Sequence, residues 1–141
     1  MNKSTTFAKS SITAGLALEL VQKAQQKAVE LELNVCVAVV DESGLLKCFS
    51  RMDGAPMLAI DIAKDKAWTA VSFGIPTDAW HDFIKNDPPL LDGITKVPRL
   101  IVFGGGYPIQ IDGQVVGGIG VSGGHYSQDM ACAKAALALL G

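Results

Sequence analysis

A chain of 141 residues whose 12 basic and 14 acidic residues are interspersed, for a formal net charge of -2, offers no basic stripe for nucleic acid and no polybasic anchor for a membrane. Hydrophobic residues make up 49% and the mean hydropathy is +0.30, yet no apolar run approaches the ~18 residues of a membrane span; the surplus points to a homo-oligomer that covers apolar surface with a second copy. The three cysteines, Cys36, Cys48 and Cys132, lie in apolar runs without a CxxC pair, which excludes a disulfide framework, and with no apolar leader in MNKSTTFAKSS the expected location is the cytoplasm.

Residues 12–32 carry helical spacing: Ala17, Leu20, Val21, Ala24, Ala28 and Leu31 share one stripe, and Glu19, Lys23, Gln26, Lys27 and Glu30 the other side. NVCVAVVD is β-branched without polar alternation, as in a strand covered on both faces, and ESG turns it into LLKCFSR, the second arm of a hairpin. After MDGAP a helix is predicted over 57–73, stopped by Gly74 and Pro76, then a shorter one from Thr77, read as its N-cap, to Lys85. NDPPLLDG reads as a loop. RLIVF, YPIQI and QVVGGIGV read as three more strands, the last two joined by Asp112 and Gly113, a type I′ hairpin signal. The closing helix is predicted over 127–140 and, with Lys134 its only charge beyond Asp129, is expected to be buried on most sides. This order gives an α/β fold in one domain over residues 1–141, a five-stranded antiparallel sheet with helices on both faces.

GIGVSG, residues 118–123, has the GxGxxG spacing of a dinucleotide loop, but no acidic residue follows Asp129 to hold a ribose. The glycines read instead as places where another backbone, a helix or a ligand comes close.

Lys66 falls inside the apolar arc of its helix, among Ala59, Ala63 and Ala70. An amine there must find a partner. It snorkels or pairs with a carboxylate for structure, or it forms the cationic floor of a pocket for a carboxylate or propionate. In RMDGAP, Arg51 offers a bidentate donor for a carboxylate, while Asp53 caps the next helix or holds Arg51; a structural turn explains both. In SGGHYSQD, Ser127 reads as N-cap and Asp129 as favourable to the helix dipole, at an end able to attract an anion. Of the two histidines, His125 sits in this glycine-rich turn and is the better metal-ligand candidate; His81 follows Trp80 on a short helix. Trp68 with Met57 and Leu58 reads as a protein interface, or as a patch covered by Trp80 and Phe83. Ser122 and His125 do not make a triad, and no HExxH or clustered carboxylates suggest a zinc or calcium site.

With VVDESGLL, RMDGAP, DIAKDKAWTA, GGGYPIQIDGQVVGGIGVSGG and SQDMACAKAAL in this order, the chain resembles the GlcG and HbpS family over nearly its whole length. The resemblance implies a profilin-like three-layer α/β/α sandwich, dimers or higher oligomers, and an accessory protein that binds haem or another tetrapyrrole beside enzymes of glycolate, diol or glycerol utilisation, one of which would be its partner. It further puts Lys66 and the RMDGAP block, with Arg51 and Asp53, in the family pocket, and with Ser122, His125 and Asp129 from the 122–129 turn these make up the expected cofactor-binding set. Where the adenosyltransferase-fused relatives have an N-terminal histidine that looks like the haem ligand, the first helix here has none, so iron is expected on His125, on a weak ligand such as Met52 or Tyr107, or without a specific ligand. The alternatives are a small-molecule enzyme or sensor for a two- or three-carbon hydroxy acid or aldehyde, with Lys66 as its amine, and a ligand-free oligomeric scaffold.

Overall fold

The computed structural model describes residues 3–141. Helix α1 spans Ala14–Glu30: the Thr13 hydroxyl accepts from Leu16 N at 3.1 Å and closes its first turn, and the buried stripe is Ala17, Leu20, Val21, Ala24 and Ala28. Strands β1 (Cys36–Asp41) and β2 (Leu46–Arg51) form the first hairpin. Helix α2 spans Ala59–Phe73 and stops at Gly74, whose φ of 74° lets its N–H reach back to Ala70 O. Short helices α3 (Trp80–Ile84) and α4 (Pro88–Gly93) follow, then strands β3 (Gly106–Ile111) and β4 (Gln114–Ser122) and helix α5 (Tyr126–Leu137). The turn between β3 and β4 has positive φ at both Asp112 and Gly113, the geometry a type I′ hairpin requires.

The sheet is antiparallel throughout, in the order β2-β1-β4-β3. Val35, Val37 and Val39 face α1 and α5, whereas Cys36, Ala38 and Val40 face α2, which is why this run shows no polar alternation. Helix α2 lies directly on the glycines of β4. A Cβ on Gly118 would strike the Ala67 carbonyl and one on Gly120 the Ala63 carbonyl, so bare strand backbone meets an alanine-rich helix face.

The sheet has four strands, not the five expected. RLIVF forms none, because α2 consumes its backbone groups: the Thr69 hydroxyl donates to Arg99 O and accepts from Ile101 N, both at 3.0 Å, and Arg99 turns the chain with a φ of 68°. The loop expected over NDPPLLDG contains α4, which begins with two prolines whose missing N–H groups cost nothing in a first turn. Thr77 is not a cap; its hydroxyl accepts from Gly106 N at 2.9 Å and ties the α2–α3 connection to the start of β3. Helix α5 begins one residue earlier than expected, and His125, not Ser127, caps it. It is buried along one stripe only, Asp129, Cys132, Ala133 and Ala136. Trp80 and Phe83 do not cover Trp68 but cluster with Phe73, at ring distances of 5.1 and 6.0 Å. Trp68 lies half-buried under the Gly44 turn with the Arg99 guanidinium 4.6 Å from its ring centroid.

Candidate functional site

Strand register gathers the polar candidates at one end of the sheet. Arg51, Cys36 and Ser122 lie in one row across β2, β1 and β4. The loops beyond this row, 33–35, 52–54 and 123–125, press on one another, since a Cβ on Gly54 would meet the Asn34 side chain and one on Gly123 the Asn34 backbone.

Behind the row sits Lys66, fully buried. Its Nζ donates to the Asp129 carboxylate and to Val121 O, each at 2.9 Å, and lies 5.2 Å from the Phe103 ring centroid. Gly124 N donates to the other Asp129 oxygen at 3.0 Å. Burial holds the Lys66 amine below its ordinary range although Asp129 pulls it up, and holds the Asp129 carboxyl above its ordinary range against Lys66. Two desolvated charges therefore hold α2, the end of β4 and the start of α5 together. Of the two roles open to Lys66 in the sequence, the structure has it paired with a carboxylate, and it lines none of the three cavities described here.

A groove of about 710 Å³ runs between α1 and the end of β2, lined by Arg51, Met52 and Asp53 on one side and by Asn34 and the α1 residues Gln22, Gln25, Gln26 and Val29 on the other. The Arg51 guanidinium makes no ion pair among the described residues. A cleft of about 450 Å³ has walls from Val102, Phe103, Gly104 and Tyr126 facing Asp78, His81 and Asp82. The third, about 410 Å³, lies at the β3 edge beside Tyr107, Pro108 and the C-terminus.

His125 stands exposed at the head of α5, its ring 4.1 Å from that of Tyr126. Its Nδ1 accepts from Ser127 N at 3.2 Å and lies 2.8 Å from Ser127 Oγ, while its own N–H donates to Gln128 Oε1 at 3.0 Å. Nδ1 is thus occupied, and Nε2 makes no hydrogen bond among the described residues. The two weaker donors are less available: Met52 Sδ accepts from Val35 N at 3.5 Å, and burial, with Asp78 beside it, holds the Tyr107 phenol far above its usual range.

Arg51 and Asp53 therefore share a groove, Lys66 and Asp129 share an ion pair, and Ser122 and His125, which line none of the three cavities, belong to the end of β4 and the cap of α5. Sequence reasoning missed the walls. The signal for the groove is Gln22, Gln25 and Gln26, three amides at i, i+3 and i+4 on the outer face of α1.

An antiparallel sheet between helical layers defines a small α/β domain, and residues 12–138 match the HbpS-like family, described as haem degrading protein HbpS-like. The chain belongs to that family. It is 36% identical to a 15.0 kDa protein from the dhaT–dhaS intergenic region of Citrobacter freundii, over 97% of this chain and 96% of the relative. It is 33% identical to the corrinoid adenosyltransferase PduO of Salmonella typhimurium over 86% of this chain, which spans only 37% of that longer protein. Among solved structures, ORFY of Klebsiella pneumoniae superposes with a TM-score of 0.93 at 32% identity, covering 99% of this chain and 97% of that one. A PduOC–haem complex superposes with a TM-score of 0.84 at 31% identity, covering 91% and 94%.

Proposed function

We propose that the protein is an accessory haem-binding protein that works as a cytoplasmic homo-oligomer, holding the cofactor for a partner enzyme of diol or glycerol utilisation. The observation that carries this reading is the likeness, over 91% of the chain, to a domain solved with haem bound. The relative in the dhaT–dhaS intergenic region supports the pathway.

Several residues at the sheet end would suit the group. A groove of about 710 Å³ lies within the range of ~300–1,000 Å³ usual for small-molecule sites, and Val29 and Met52 supply apolar wall. Arg51, free of any described ion pair, would take a propionate, with Asp53 beside it in the groove. His125, outside the groove's own lining but on the turn that packs on the groove residue Asn34, would be the axial ligand through Nε2. Lys66 and Asp129 would not touch the cofactor; they would hold the turn that carries His125. When bound, haem supplies the redox and gas-ligand chemistry of its iron, to which the chain adds orientation and shielding. An enzyme or sensor using Lys66 as its amine gains no support from an ammonium that is buried and ion-paired.

Titration with haemin, followed in the Soret band, is the test. A saturable shift is expected, weakened in Arg51→Ala and in His125→Ala. A wild-type protein that produces no shift overturns the reading.

A further inference from the structure

The polar contacts of the His125 ring carry one step beyond this reading. A backbone N–H can only donate, so the 3.2 Å contact from Ser127 N requires a lone pair on His125 Nδ1. In the neutral ring the proton must then sit on Nε2. That nitrogen can join a metal only after giving its proton up. As it does so Nδ1 takes a proton, exchanged through water at this exposed ring, and the imidazole stays neutral. The Ser127 amide can no longer contribute. The Ser127 hydroxyl can, because at 2.8 Å it donates to a bare Nδ1 and accepts from a protonated one.

We infer that Ser127 is the positioning residue for His125: its amide holds the ring in the Nε2–H form in the free protein, and its hydroxyl receives the Nδ1 proton when Nε2 binds a metal. Outer-shell hydrogen bonds to ligating histidines fix the tautomer and ring orientation in this way. Read from spacing alone, Ser127 is the cap and His125 part of the turn. The structure exchanges the roles, so that one contact serves both the helix end and the ligand nitrogen. The hydroxyl's part rests on His125 being the haem ligand; the amide's part does not.

The experiment has two arms. In the free protein, nitrogen-resolved NMR of the His125 ring is expected to show protonated Nε2 and bare Nδ1; a ring protonated on Nδ1 overturns the inference without touching the haem reading. In the second arm, Ser127→Ala keeps the amide and loses the hydroxyl, so haemin affinity is expected to fall about tenfold, the lower end of outer-shell effects. Ser127→Thr is expected to restore it, with the melting temperature of the unliganded variants close to wild type. Equal haemin affinity in wild type and Ser127→Ala, with His125→Ala impaired, overturns the hydroxyl's role while the haem reading stands. Absence of haemin binding by the wild type removes both that role and the haem reading.

Discussion

Lys66 and Asp129, 63 positions apart in the chain, meet at 2.9 Å with neither side chain reaching solvent. Removing one partner strands the other charge in the interior. Lys66→Ala and Asp129→Ala are each expected to cost about 3–5 kcal/mol, while Lys66→Met combined with Asp129→Leu recovers much of the loss, because an apolar pair of similar size has no desolvation to offset. Urea unfolding of the three variants measures this. A double variant as unstable as the worse single one would show that the bridge does more than neutralise itself.

The same pair sets a pH dependence whose sign follows from burial. Asp129 is held above its unfolded value, so between the two values the folded chain keeps a proton the unfolded chain has lost, and stability falls as pH rises through that acidic window. Lys66 is held below its unfolded value, so there the unfolded chain keeps the extra proton, and stability rises with pH through the alkaline window. The pair's contribution is therefore lowest on the neutral plateau. Subtracting the curve of the Lys66→Met/Asp129→Leu variant from that of the wild type, over roughly pH 4 to pH 10, is expected to leave a trough. A peak at neutral pH would mean that mutual attraction outweighs desolvation.

Glycines at two positions should respond in opposite directions. At Gly120 an added methyl would strike the Ala63 carbonyl and crowd Ala67 N and the Lys66 side chain, so Gly120→Ala is expected to destabilise by about 3 kcal/mol or more, as overpacking against backbone does. Gly15, in the first turn of α1, has nothing within 4 Å, and Gly15→Ala is expected to stabilise by a few tenths to about 1 kcal/mol. Thermal melts of both variants give the comparison; a Gly120→Ala protein as stable as wild type would mean that α2 can lift off the sheet.

Local signals carried most of the fold. The α1 stripe became its buried face, the unbroken β-branched run became a strand covered on both sides, and Asp112-Gly113 became a turn with two positive φ values. What failed depended on groups distant in sequence. RLIVF has strand-forming residues, but whether it joins the sheet is decided by the Thr69 hydroxyl, 30 and 32 positions away from its two contacts. The cap of α5 was missed because an imidazole takes a place usually held by a small hydroxyl or amide. At the site, periodicity was enough to put Lys66 in an oily arc and so to demand a partner. Naming Asp129 needed the strand register that brings Val121 beside both, and no local pattern contains it.

Because Gly118 and Gly120 leave no cushion of side chains under α2, helix and strand meet as two hard surfaces. Sliding α2 along β4 would drive its carbonyls into the strand, so shear at this seam is blocked. Any rearrangement on taking up a guest must come from the connections at the sheet's rim, and amides along β4 should be among the last in the molecule to trade their hydrogens for deuterium.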